Sequence, residues 1–65
     1  MQPSIGRIVH YTNHVGTTQA AIITGINDNG SVSLHVFARG DHFMLSSVPF
    51  AEFAVANYWN WPPRV

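Results

Sequence analysis

Hydrophobic and polar residues alternate along much of the chain with the two-residue period of β-strands. Strands are predicted over residues 5–12, 20–26, 31–37 and 43–48. In the third of these, Val32, Leu34 and Val36 share one face and are expected to point into the core. The second strand is apolar almost throughout, which predicts burial on both of its faces.

Glycine, asparagine and proline mark the connections between these strands. The strongest local signal is Asn27-Asp28-Asn29-Gly30, because Asn-Gly between two strands favours a type I′ hairpin turn, in which both central residues take positive φ. Loops are predicted over residues 13–19 and 38–42. Residues 50–57 permit either a helical turn or a turn with a short strand, since so short a run is marginal as a helix.

Four or five short strands in 65 residues predict an all-β fold in one domain, residues 1–65. The expected architecture is a small SH3-like or OB-like half-open barrel of antiparallel strands, with residues 58–65 as an aromatic and proline-rich cap. A domain of this size buries only about 60% of the surface of its unfolded chain. The chain has no cysteine for a disulfide and is 46% hydrophobic, so we expect a homo-oligomer.

Charge is sparse: 9% of residues are charged, with three arginines, three acids and no lysine. Binding to duplex nucleic acid relies on basic residues that neutralise phosphates, so duplex DNA or RNA is not an expected partner. A single-stranded nucleic-acid binder of the OB type is also disfavoured by the absence of lysine. Neither a signal peptide nor a membrane-spanning segment is recognisable, which predicts an intracellular protein without a membrane partner.

The end of the chain holds the first candidate binding residues. Trp59 and Trp61 are two positions apart, so in extended backbone they point to the same side. Paired indoles can stack on a base or another planar group, and Arg64 is a further candidate to hold a phosphate. The alternative is that the two tryptophans close the end of the barrel or lie in a subunit interface. Both interpretations hold if the interface is also the pocket.

The first strand holds a second set, Arg7, His10 and Tyr11. An arginine offers a planar, bidentate fork to a phosphate or carboxylate. In a regular strand the His10 side chain lies on the opposite face from those of Arg7 and Tyr11. The three side chains therefore converge only if the strand twists or a second subunit contributes. The alternative is a surface arginine beside a half-buried tyrosine.

The third strand contributes His35, Phe37 and Arg39 from its outer side. An aromatic face next to a cation is suited to nucleotide binding, since it combines stacking with neutralisation of phosphate. The alternative is an oligomer contact.

Metal binding and catalysis find little support in the sequence. The pairs considered as metal ligands are His10 with His14 and Asp41 with His42. Zinc sites need three or four converging ligands, so no metal site is predicted. The three carboxylates are far apart in sequence, and Ser46 and Ser47 lie in no recognisable nucleophile elbow. The expectation is a non-enzymatic protein that needs no cofactor.

Five segments of the chain carry a resemblance to a known set of proteins. They are Gly6-Arg7-Ile8-Val9-His10-Tyr11, Ala21-Ile22-Ile23, Val32-Ser33-Leu34-His35-Val36-Phe37, Ser47-Val48 and Trp59-Asn60-Trp61-Pro62-Pro63-Arg64-Val65. The chain resembles small proteins of tailed bacteriophages that share a GRxVHY opening, a VxLxVF strand and a WxWPxRV ending. The resemblance covers almost the whole chain. Where that set has Pro-Gly or Gly-Thr before the first tryptophan, this chain has Asn57-Tyr58.

The resemblance implies a phage origin and therefore the cytoplasm of an infected bacterium. Small oligomeric phage β-proteins with aromatic and arginine pockets are similar to anti-defence sponges, which bind cyclic nucleotides or cyclic ADP-ribose-type signals of bacterial immunity. By this analogy we expect a non-catalytic protein that sequesters such a signal. The alternative is a protein–protein adaptor or phage accessory protein with no small-molecule ligand.

Overall fold

The computed structural model describes residues 2–63 and places five strands in one sheet, with no helix in this range. The strands are β1 (Ile8–Thr12), β2 (Thr18–Ile26), β3 (Val32–Ala38), β4 (Asp41–Val48) and β5 (Trp59–Asn60). Their order across the sheet is β4-β3-β2-β1-β5, and every neighbouring pair is antiparallel. The prediction of an all-β fold with antiparallel strands is confirmed.

The first and fourth strands begin elsewhere than the sequence predicts. β1 starts at Ile8 because the preceding residues form a turn in which Gly6 has a φ of 92°. β4 starts at Asp41 because its hairpin with β3 has only two loop residues, Arg39 and Gly40. The predicted loop over residues 38–42 is therefore wrong in length, and three of its residues belong to strands.

Between β2 and β3, Asn27 and Ser31 close a three-residue loop, residues 28–30, and not the predicted type I′ turn. Gly30 has a φ of 88°, but Asn29 does not take positive φ. The Gly30 amide donates to the Asn27 carbonyl at 3.1 Å, and the Asn27 amide donates to the Ser31 carbonyl at 2.9 Å. This is the arrangement of a hairpin whose last loop residue is left-handed, a conformation open to glycine without steric cost.

The loop between β1 and β2 repeats this construction. The Gly16 amide donates to the Asn13 carbonyl at 3.0 Å, and the Asn13 amide donates to the Thr17 carbonyl at 3.0 Å. The Asn13 side-chain oxygen also accepts from the amides of Val15 and Thr17. These hydrogen bonds to Asn13 hold the two ends of the loop together. The loop is therefore shorter than the predicted range of residues 13–19, and β2 begins at Thr18.

One face of the sheet forms the core, as the alternation in β3 predicts. Its buried apolar residues are Val9, Tyr11, Ala21, Ile23, Val32, Leu34, Val36, Val48 and Trp59. β2 buries only Ala21 and Ile23, and its alternate residues are half-buried or exposed. The prediction that β2 is buried on both faces is wrong, because Ala20, Thr24 and Ile26 of this strand are exposed to solvent.

The chain that leaves β4 reaches β5 at the opposite edge of the sheet. The Trp59 amide donates to the Pro49 carbonyl at 3.0 Å, and the Ala51 amide donates to the Trp59 carbonyl at 3.0 Å. Phe50 pairs with Trp59 in a single parallel bridge. Of the two alternatives for residues 50–57, a turn with a very short extended stretch is therefore the closer one.

Asn57 sets the position of the tryptophans. It has a φ of 71°, and asparagine tolerates this left-handed conformation better than most residues. Its amide donates to the Thr12 carbonyl at 2.7 Å, and the Thr12 amide donates to the Tyr58 carbonyl at 3.1 Å. The Asn57-Tyr58 step therefore fixes the chain beside the end of β1, so that β5 can pair with that strand.

Candidate functional site

An open cleft of about 500 Å³ lies beside the β1–β5 edge of the sheet. Its lining residues are His10, Thr18, Glu52, Phe53, Ala54, Asn60, Trp61 and Pro63. His10 and Asn60 are directly opposite each other in the β1–β5 register, which places both on the outer face of the sheet. Residues 52–54 come from the segment after β4, so the cleft forms only where that segment passes this edge.

Trp61 joins the cleft to the core. Its ring is half-buried and makes an edge-to-face contact with the Trp59 ring, with centroids 5.2 Å apart and an interplanar angle of 83°. The guanidinium carbon of Arg7 lies 5.6 Å from the Trp61 ring centroid, within the range of a cation–π contact. Trp61 is thus positioned by both the core and an arginine while it lines the cleft.

Asn60 presents a hydrogen-bond acceptor that the protein leaves unused. Its Nδ2 donates to the Trp61 carbonyl at 3.1 Å, which orients the amide. Its Oδ1 is buried and receives no hydrogen bond from the described residues. A buried polar atom without a partner costs about 1–3 kcal/mol. Because this oxygen has almost no exposed surface, a ligand in the cleft can reach it only when the Asn60 side chain turns.

The structure corrects the predicted stacking platform of two tryptophans. Trp59 is only 2% exposed and Tyr11 only 7% exposed, so both belong to the core and neither ring is open to a ligand. The two indoles meet edge to face and therefore do not form parallel surfaces. The alternative interpretation, in which the tryptophans close the end of the fold, describes Trp59, whereas Trp61 keeps access to the cleft.

A second cluster of candidates lies on the outer face of β3 and β4. The rings of His35 and Phe37 are stacked, with centroids 4.7 Å apart and an interplanar angle of 11°. Nε2 of His35 lies 3.0 Å from Nδ1 of His42. Arg39 is exposed in the hairpin turn beyond them. Arg64 falls outside the described residues.

The contact between His35 and His42 is absent from the sequence predictions. The two residues are seven positions apart, and the sequence pattern places His42 in the turn over residues 38–42. The sequence Arg39-Gly40 could have indicated this contact. A two-residue turn at these positions pairs Phe37 with His42, and it brings His35 and His42 to the same face of the sheet. Turn length thus decides which outer-face residues meet.

The candidates consequently fall into two groups. His10 and Trp61 line the cleft with Arg7 beside them, whereas His35 and Phe37 lie across the sheet, with β2 between β1 and β3. The outer face of the sheet also carries exposed apolar side chains: Ile8, Phe37 and Met44. Within one chain, the predicted residues that the structure describes therefore do not converge on a single site.

The described range lacks two further features. No group of three or more histidine, cysteine, aspartate or glutamate residues in positions 2–63 is placed to hold a metal ion. In the same range, no helix has the length and apolar character required to cross a bilayer. Comparisons of the chain with protein-family models, with curated proteins and with solved structures find no match.

Proposed function

We propose that this chain is a non-catalytic phage protein that sequesters a nucleotide-derived signal of bacterial immunity. In this proposal it acts in the cytoplasm of the infected host as a homo-oligomer of SH3-like or OB-like half-open barrels. The observation that carries the proposal is the cleft, which is lined by the half-buried Trp61 together with the polar residues His10, Glu52 and Asn60. An aromatic ring with a nearby hydrogen-bonding group is suited to a nucleobase.

The polar groups of the cleft indicate which end of a nucleotide enters it. Glu52 offers an exposed carboxylate, so the cleft favours groups that donate hydrogen bonds. Nucleobase amino groups and ribose hydroxyls are such donors. A phosphate would meet the charge of Glu52, so we place phosphates outside the cleft, towards Arg7 beside Trp61.

Size and charge favour a small ligand over a polymer. A volume of about 500 Å³ lies within the usual range of small-molecule pockets. The chain has no net charge at neutral pH with histidine uncharged, which suits one or two phosphates better than a polyanion. Cyclic nucleotides and cyclic ADP-ribose-type molecules fit this description.

Substitution of Trp61 by Leu is expected to weaken ligand binding by about 5- to 150-fold, since stacking on an aromatic side chain contributes about 1–3 kcal/mol per base. Trp61→Phe keeps an aromatic face and should retain most of the affinity. Isothermal titration calorimetry against a panel of cyclic nucleotides and cyclic ADP-ribose-type compounds measures the affinity of both variants.

Tyr58→Leu is the matched control, because Tyr58 is an exposed aromatic residue of the same segment that does not line the cleft. Its affinity should equal that of the natural sequence. The proposal fails if no member of the panel binds, or if Trp61→Leu and Tyr58→Leu bind equally well. Melting curves of each variant separate lost binding from lost folding.

Self-association should show in the mass of the protein in solution. Light scattering is expected to give a multiple of 7.2 kDa, because exposed Ile8, Phe37 and Met44 leave an apolar face uncovered on the single chain. A double substitution of Phe37 and Met44 by Ser should lower that mass. A monodisperse monomer at micromolar concentration would contradict the oligomeric part of the proposal.

The same exposed residues favour a second candidate function, that of a protein–protein adaptor. In this case the apolar outer face docks on a different protein and the cleft holds no ligand. The discriminating result is a monomer that captures one protein stoichiometrically from infected cells and loses it when Phe37 and Met44 are replaced by Ser.

A further inference from the structure

We propose that His35 and His42 form a surface chelate for a divalent transition-metal ion, with Cu²⁺ bound most tightly. The two imidazoles come from neighbouring strands, and their facing nitrogens, Nε2 of His35 and Nδ1 of His42, are 3.0 Å apart. This site is separate from the cleft and does not depend on the proposed nucleotide ligand.

The spacing of the two nitrogens matches the geometry of a chelate. Metal–imidazole bonds are about 2.0–2.1 Å long. Two nitrogens 3.0 Å apart at that bond length subtend an angle of about 95° at the metal. This is close to the right angle between neighbouring ligands in tetragonal Cu²⁺ and Ni²⁺ sites.

The hairpin holds both histidines next to each other before any metal arrives. The two-residue turn sets Phe37 opposite His42, and the His35 ring stacks on Phe37. The Asp41 side chain accepts from the His42 amide at 2.7 Å, which stabilises the start of β4. Ligands on paired strands are better positioned than ligands on loops, so binding requires rotation of the rings and little ordering of the backbone.

The chemistry of the pair selects late transition metals. In the metal-free protein one of these ring nitrogens donates a hydrogen bond to the other. When a metal ion binds, the donor imidazole carries that proton on its other ring nitrogen, and both rings turn so that their lone pairs point to the metal ion. Neutral imidazoles suit Cu²⁺, Ni²⁺ and Zn²⁺, whereas Ca²⁺ and Mg²⁺ prefer oxygen ligands. With only two protein ligands the affinity should follow the general order, in which Cu²⁺ exceeds Ni²⁺ and Zn²⁺.

Titration of the full chain with CuSO₄ tests the site. We expect one Cu²⁺ per chain by calorimetry, and an electron paramagnetic resonance spectrum with hyperfine splitting from two equatorial imidazole nitrogens. His42→Ala should weaken Cu²⁺ binding by about tenfold or more, because a chelate becomes a single ligand. His42 is exposed, so circular dichroism should show an unchanged fold.

The matched control is His14→Ala, which removes an exposed histidine from the β1–β2 loop. This variant should bind Cu²⁺ as the natural sequence does. Equal affinity in His42→Ala and the natural sequence would overturn the proposal. So would a spectrum of the natural protein with only one coordinated imidazole nitrogen, a measurement that needs no variant to fold.

Discussion

Replacement of Trp59 by Ala is expected to destabilise the protein by about 3–5 kcal/mol, the usual cost of removing a large buried aromatic side chain. Trp59 is 2% exposed, and its ring contacts Phe50 and Trp61. A core in a domain of this length rarely supplies more than about 3–5 kcal/mol. The variant should therefore be largely unfolded at 25 °C, as measured by far-ultraviolet circular dichroism and urea titration.

Trp59→Phe provides the control for this result. It keeps an aromatic ring in the core and removes the indole N–H, which is buried without a hydrogen-bond partner in the described structure. Loss of an unsatisfied donor offsets part of the cavity cost, so Trp59→Phe should remain folded. A folded Trp59→Ala protein with nearly unchanged urea midpoint would show that Trp59 is not a core residue.

Replacement of Leu34 by Ala is expected to cost about 2–5 kcal/mol, since Leu34 is fully buried at the centre of the sheet. Leu34 pairs with Ile23 on β2 and with Leu45 on β4, so its removal leaves a cavity bounded by both neighbours. Thermal and urea unfolding followed by circular dichroism measure the change.

Val15→Ala is the matched control for Leu34. It also shortens an aliphatic side chain, but Val15 is 71% exposed in the β1–β2 loop. Val15→Ala should change the free energy of unfolding by no more than about 0.5 kcal/mol, as most surface substitutions do. Similar losses of stability in Leu34→Ala and Val15→Ala would mean that the alternation in β3 does not define the buried face.

The candidate site was less predictable than the fold. The residue types of Trp61 and His10 indicate binding candidates, yet nothing in their spacing shows that Glu52 lies beside them or that Asn60 lies opposite His10. Glu52 reaches the cleft because the segment after β4 crosses to β5, and Asn60 meets His10 because β5 pairs with β1. Such a contact depends on long-range pairing, which no local pattern encodes.

Ligand contact could not be deduced for Trp59 and Tyr11 either. Their residue types favour stacking on a base and burial in a core equally well. The pairing of β5 with β1 sets Tyr11 opposite Trp59, and only this pairing shows that both side chains are buried. The same pairing leaves Trp61 at the margin of the core, where it lines the cleft.

The sequence by itself determined the all-β class, the buried face of β3 and the approximate positions of the turns. These features are local, because side-chain alternation and the positive φ of Gly30 depend on near neighbours in the chain. The tertiary structure decided turn lengths, the burial of Trp59, the composition of the cleft and the contact between His35 and His42. Each of these depends on strand register, and a change of one residue in register exchanges the two faces of a strand.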